Sequence, residues 1–263
     1  MIINNVKNSV NWPVRVPLFG VPVTPTTYSE ATDCIVAASH GNVSACIDFM
    51  PVHGLMTAVE NSQFKKIIHE KFDLVCPDGQ PVKWALNHFY KTELQDRVYG
   101  PSCMLHTLNR AHEENIPVYF YGSRQEVLDK LKINLLKRYP LLTIAGMQSP
   151  PFRELTPFEN EQAARTINES GAKILFIGLG CPKQELWAAS QKNHIAMPML
   201  CVGAAFDFHA GVMRQAPAWM QRRGLEWAFR LCKEPGRLWK RYFYYNLYFC
   251  LYFFKSTFKQ KPD

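Results

Sequence analysis

The sequence predicts an α/β fold: a Rossmann-like parallel sheet with helices on both faces, followed by a helical C-terminal appendage that is basic and aromatic. Three observations carry this. Short apolar runs alternate with stretches whose apolar residues recur at helical spacing, the pattern of βα units. The runs are continuous, as in "AKILFIGLG" at 172–180, which is how a strand buried on both faces reads. After Gly211 the character changes to helical spacing dense in Arg, Trp, Tyr and Phe. At 263 residues and 47% hydrophobic the chain is long enough for one large domain plus an appendage. The boundary falls so that 1–213 is the α/β domain and 214–263 the appendage.

Taken in order, "LFGVPV" (18–23) reads as a strand, and "TYSEATDCIVAASH" after it as a helix opened by a Thr/Ser start signal. "SACIDFM" (44–50) is the next strand, followed by one helix in "GLMTAVENSQFKKIIHE". "FDLVCP" comes next, and Pro81 opens the helix behind it, a residue tolerated in a first helical turn. "IPVYFYG" (116–122) leads into a helix from Ser123, "LLTIAG" (141–146) is a strand, and "AKILFIGLG" leads into a helix from Pro182. "MPMLCVGAAF" (197–206) is the last strand. Ligands of parallel α/β sheets bind beyond the carboxyl ends of the strands. Asp78, Gly122, Gly180 and Asp207 all stand at such ends, so one edge of the sheet is expected to hold one cleft.

The net charge of +8 is confined to the tail. From Arg214 onward eleven Lys and Arg face three acids, whereas the preceding residues carry nineteen of each sign. That asymmetry points to an anionic partner for the tail. Tyr242 to Phe254 is thirteen residues without a formal charge, too short for a span of about 20 apolar residues but suited to the headgroup zone of a bilayer. The alternatives are a helix packed on the body or on a second copy of the chain, and stacking on single-stranded nucleic acid. The interfacial composition favours a membrane surface and no nucleic acid. The first residues lack an apolar signal region, and eight scattered cysteines form no C-x-x-C pair. Together these predict reduced thiols and no directed secretion.

Asp78, set between Pro77 and Gly79 at a strand end, is either a turn aspartate or a general base close to incoming substrate. "FIGLGCPKQE" (176–185) joins a strand, a Gly-x-Gly turn and a helix start, where backbone N–H groups and Lys183 would attract an anion; Gln184 and Glu185 face either a hydroxyl or solvent. No dinucleotide or P-loop fingerprint is present, which weighs against a nucleotide-sugar oxidoreductase or epimerase. In "GAAFDFHAG" (203–211) we read Asp207 as a ligand-orienting carboxylate and His209 as structural. Arg97 stands before a turn, with a surface ion pair to Asp96 as its plain reading. Arg230, Arg237 and Arg241 fall seven and four residues apart, near one helical face if the Pro235 bend allows it. The chain has no Asp-x-Asp and no metal-ligand spacing of His or Cys, so neither a metal nor any other cofactor is expected.

Together, "LFGVPVTPTTYSEA", "CPDGQPVKWAL", "RVYGPSCM", "SPPFRELT", "FIGLGCPKQELW", "VGAAFDFHAG" and "QAPAWMQRRGLEWAFRLCKEPGRLWKRY" resemble, in the same order, the WecG/TagA/CpsF family of bacterial glycosyltransferases. The resemblance implies an inverting, membrane-associated enzyme working at the cytoplasmic face of the inner membrane. Such an enzyme moves a sugar from a nucleotide diphosphate donor, usually UDP-linked (N-acetylmannosamine, its uronic acid, glucose or similar), onto a polyprenyl-diphosphate-linked saccharide during synthesis of a cell-surface polymer. It further implies Asp78 as the base, Arg97 and Gln184 near the donor sugar or diphosphate, and Asp207 on the nucleotide side. Arg230 and Arg237 would close over the site, with Lys240 or Arg241 as a third basic position. One departure stands out. Many members carry Thr-x-Asn after the second strand, where this chain reads Phe49-Met50-Pro51-Val52-His53-Gly54; His53 is the candidate replacement contact to the sugar. A non-catalytic, membrane-bound assembly factor that keeps the fold is the rival of another class, and a second copy of the chain is a further candidate partner.

Overall fold

The computed structural model describes residues 10–259. The apolar run expected as one strand is a hairpin, β1 (Val16–Leu18) and β2 (Val21–Val23), forming its own two-stranded antiparallel sheet. Its turn residues Phe19 and Gly20 both have positive φ, 52° and 79°, the conformation that matches strand twist in a two-residue hairpin. Helix α1 (Tyr28–His40) follows, capped by Thr27, whose hydroxyl accepts the Glu30 N–H at 3.2 Å. After β3 (Ala45–Met50) the expected single helix is two, α2 (Val52–Glu60) and α3 (Ser62–Lys71). Asn61 lies at the break, in extended conformation, and its side chain caps α3 by accepting the Phe64 N–H at 2.9 Å. Asparagine competes for backbone groups in this way, so it ends one helix and starts the next.

β4 (Leu74–Pro77), α4 (Gln80–Tyr90) and α5 (Gly100–Glu113) come next. β5 (Val118–Gly122), α6 (Gln125–Arg138) and β6 (Ile144–Gln148) follow. β6 begins later than "LLTIAG" suggested, because Leu141 is exposed and Leu142 packs beneath the end of α6 instead of pairing. α7 (Pro157–Glu169) opens with a capping box between Thr156 and Glu159. Then come β7 (Ile174–Gly178), α8 (Lys183–Gln191) and β8 (Pro198–Cys201). β8 is shorter than expected: the chain turns at Val202–Ala204 into the short α9 (Ala205–His209), which puts Asp207 on a helix rather than on extended chain. The remainder is α10 (Ala218–Arg222), α11 (Glu226–Lys233) and α12 (Pro235–Lys259).

The six-stranded sheet has the order β4-β3-β8-β7-β5-β6, and every pairing in it is parallel. Alternate residues of each strand enter two separate cores, as period-two geometry requires. Cys46, Val75, Tyr121, Ile177 and Met199 pack with α2, α3, α4 and α8. Ile47, Cys76, Phe120, Phe176 and Leu200 pack with α1, α5, α6 and α9. The C-terminal helix lies along α2, with Phe249 buried against Phe19 at 5.5 Å between ring centroids and Phe253 against Phe89 at 5.1 Å.

Candidate functional site

Loops from the carboxyl ends of all six sheet strands, joined by α11 and α12, enclose one cavity of about 670 Å³. Winding places it there. The chain steps outward from β3 to β4 on one side, then lays β5 and β6 on the far side of β7 and β8, so the loops diverge and leave a crevice.

Asp78 lies at its floor. The strand end is fixed on both sides, with the Asp78 N–H donating to Met50 O at 3.1 Å and the Val98 N–H to Pro77 O at 2.9 Å. Gly79 (φ 131°) then turns the chain into α4. The Gly100 N–H donates to Asp78 Oδ2 at 3.0 Å, and Arg97 Nη1 stands 3.8 Å from Oδ1. Burial raises the carboxyl from 3.8 to about 7 against the opposing effects of Arg97 and the Gly100 N–H; Glu226 adds to the rise and Arg230 opposes it. The isolated acid is thus a half-buried carboxyl, pushed up to about 7, at the head of a strand held on both sides.

Arg97 does not form the surface pair with Asp96. Asp96 Oδ1 instead accepts the backbone N–H of Arg97 at 2.8 Å, and the guanidinium turns inward. There its Nη2 meets Glu226 Oε2 at 2.6 Å, and the guanidinium carbon lies 4.1 Å from the centre of the Tyr99 ring. The Tyr99 hydroxyl donates to the other oxygen of Glu226, also at 2.6 Å. Glu226 is the residue the sequence reading missed. It was counted only as an acid in a basic tail, and the one available signal was its position between Leu225 and Trp227 in an otherwise basic segment.

In the β7–α8 loop, Gln184 is buried and its amide is engaged within the fold. Its Oε1 accepts the Gly180 N–H at 3.1 Å, while its Nε2 donates to Glu185 Oε1 at 2.9 Å and Cys201 O at 3.1 Å. Lys183 lines the cavity beside it. Glu185 and Asp48 of β3 are both buried, and each keeps one carboxyl oxygen without a hydrogen-bond partner. Burial pushes both carboxyls upward, and the neighbouring Glu185 charge pushes Asp48 further. This pair too was invisible in the sequence, its members lying on different elements.

Gly122 does not line the cavity but sets its wall. A Cβ there would meet the Gly178 carbonyl carbon at 2.6 Å, so only glycine lets β5 and β7 end this close together. Asp207 lines the cavity, as does Arg230 of α11, whose Nε is buried without a hydrogen-bond partner. His53, in the first turn of α2, stands edge-on to Tyr245 of α12 at 4.8 Å. Phe49 lines the cavity as well, whereas Met50 packs into the core. His209 is tied to Pro101 O at 2.8 Å, with burial pushing its imidazole downward. The chain bends at Glu234 (φ −134°, ψ 57°), so Arg230 sits on α11 while Arg237 and Arg241 belong to α12 and do not continue one helical face with it. The side chains of Arg237 and Arg241 lie outside the described residues. Among the described residues no three His, Cys, Asp or Glu gather as a metal site would require.

A deep cleft at the sheet edge, a near-neutral carboxyl on its floor and cations around it suit transfer of a group from an anionic donor. The comparison with known families agrees. A model of the Glycosyl transferase WecG/TagA/CpsF family matches residues 16–263, nearly the whole chain. The protein belongs to the WecG/TagA/CpsF family of glycosyltransferases.

Proposed function

We propose that the protein is an inverting glycosyltransferase that uses Asp78 as its base. It takes a sugar from a UDP-sugar and passes it to a polyprenyl-diphosphate-linked saccharide, within the polysaccharide synthesis that its family serves. The observation that carries this is the carboxyl of Asp78, set at the strand end in the cavity beside Arg97 and pushed by desolvation to about 7, where a base is most effective near neutral pH. The acceptor hydroxyl gives its proton to Asp78 as its oxygen bonds to the anomeric carbon. The bond from that carbon to the diphosphate oxygen breaks on the opposite face, and UDP leaves with the electron pair. Charge developing on the diphosphate is met by Lys183 and Arg230, which line the same cavity. Gln184 holds the Gly180 loop in place through its internal hydrogen bonds. Tyr242, Tyr245 and Asn246 of α12, with His53, form the wall nearest the tail, which we assign to the acceptor.

The acceptor's lipid fixes where the enzyme works. No helix among the described residues is long and apolar enough to cross a membrane. However, Trp239, Phe243, Leu247, Leu251, Phe254 and Phe258 form one exposed stripe along α12, with Lys240 and Lys255 also exposed. That is the composition of a helix lying in the headgroup zone, and it supports our reading that the cavity mouth faces the cytoplasmic leaflet.

The test is transfer from a panel of UDP-sugars to a polyprenyl-diphosphate acceptor by purified protein. Asp78→Asn should lower transfer about 100-fold or more while UDP binding persists; near-native turnover would reduce Asp78 to a turn residue. Transfer should also persist in excess EDTA, since the cavity is lined by cations and gathers no set of hard oxygen ligands. Loss with chelator, restored by magnesium or manganese, would overturn that part of the scheme.

A further inference from the structure

Two carboxylates compete for one buried guanidinium. We infer that Glu226 is a positioning residue: it draws Arg97 away from Asp78 and so keeps Asp78 available to accept a proton while α11 is seated. The inference rests on the reading of Asp78 as the base.

The geometry is unequal in the required sense. Arg97 Nη2 lies 2.6 Å from Glu226 but its Nη1 lies 3.8 Å from Asp78, the first a charge-assisted hydrogen bond and the second beyond hydrogen-bond reach. Glu226 is fixed at both oxygens, by Arg97 and by the Tyr99 hydroxyl at 2.6 Å. The guanidinium carbon further lies over the Tyr99 ring, 4.1 Å from its centre. Arg97, Tyr99 and Glu226 are all buried in the cavity wall. With Glu226 neutralised or withdrawn, Asp78 is the carboxylate left beside the guanidinium among the described residues, and a shift of about 1 Å would bring the two into a paired geometry. A carboxylate so paired is a weaker base.

Other ionisable groups face Asp78: Tyr28 from α1, Asp48 from β3, Tyr99 from its own loop and Arg230 from α11. Burial raises Tyr28 to about 12, and burial also raises Asp48, Tyr99 and the nearby thiols of Cys76 and Cys103. The Arg97–Glu226 clamp is the contact that joins the 214–263 segment to the base. Seating of α11 is thereby felt at the reacting carboxylate, 129 residues along the chain from Arg97 to Glu226.

The experiment is a carbon-13 NMR titration of the aspartate carboxyls in the full-length protein without substrates, with Asp78 assigned by its loss in Asp78→Asn. Native protein should titrate at Asp78 near the raised value of about 7. In Glu226→Gln the midpoint should fall by about one pH unit or more, because a negative neighbour is lost and Arg97 is released. Glu226→Asp should restore much of the native midpoint. The acid limb of the transfer rate should move by the same amount. Tyr99→Phe, which frees one oxygen of Glu226 without changing charge, should shift the midpoint the same way but less, and it decides the matter if Glu226→Gln does not fold. An unmoved midpoint in the folded variant overturns the inference even if activity falls, since a packing role alone would leave the titration in place. If Asp78→Asn retains transfer, the base assignment fails and takes the inference with it; an unmoved titration beside an inactive Asp78→Asn overturns the inference alone.

Discussion

A carboxyl that titrates near pH 7 inside a folded chain weakens the fold wherever it is ionised. The folded value of Asp78, about 7, lies above the ordinary 3.8, so the folded state holds the proton more tightly than the unfolded one. Its contribution to stability is therefore complete below about 3.8 and is lost as pH rises through about 7. Asp78→Asn carries no such dependence. Its melting temperature should overtake that of the native chain, the gap widening between pH 4 and 7 and then levelling, by about 2–4 °C for each kcal/mol recovered. Calorimetry across that range checks it, and an unchanging gap would place the carboxyl in an ordinary environment. The same substitution should lower transfer, so stability and activity should move in opposite directions at one residue. Asp78 was legible in the sequence because Pro77 and Gly79 isolate it at a strand end. The partner of Arg97 was not: Asp96, adjacent to it in sequence, serves the backbone, and the guanidinium pairs with Glu226 far along the chain.

α12 presents aromatic residues on both of its faces, and the two faces do different things. Phe249 and Phe253 pack on Phe19 and Phe89, whereas Phe243, Leu247 and Leu251 stand in solvent. Phe249→Ala should destabilise the protein by about 3 kcal/mol, the usual cost of emptying a buried phenylalanine site, and leave binding to anionic liposomes intact. The triple change Phe243→Ser, Leu247→Ser and Leu251→Ser should do the reverse, losing sedimentation with liposomes while unfolding near the native midpoint. Retained liposome binding in the triple variant would assign the stripe to something other than a lipid surface. Composition could say that this segment is interfacial, but not which side faces inward, because the same residue types occupy both. The single helix expected over 54–70 failed for a related reason. A lone Asn61 amid helical spacing is weak evidence in sequence, yet its side chain supplies the cap that separates α2 from α3.

The charge count divides the molecule at Arg214, but packing does not. Phe249 is buried against the body, and Glu226 fills the position beside Arg97. Removing residues 214–263 should yield a nearly neutral protein that no longer binds anionic liposomes, since each basic residue near such a surface contributes about 1 kcal/mol. Transfer should be lost too, and a soluble acceptor should not restore it. The truncated chain should keep its sheet but melt at a lower temperature, because the apolar surface of α2, α4 and the β1–β2 hairpin under α12 is uncovered. Circular dichroism and liposome sedimentation on the truncated chain measure both effects. Transfer at the native rate would mean that the site is complete within residues 1–213.

The sequence by itself determined the βα alternation, the parallel sheet, the acid at the end of β4 and the sign of the tail's charge. Each of these is written in a local pattern: the period of apolar residues, the residues flanking a turn, a count over a window. Only the tertiary structure decided the strand order β4-β3-β8-β7-β5-β6, the Asp48–Glu185 pair and the return of Glu226 to Arg97. These join residues from distant parts of the chain, and a contact made by long-range packing leaves no periodicity and no spacing for a linear reading to find.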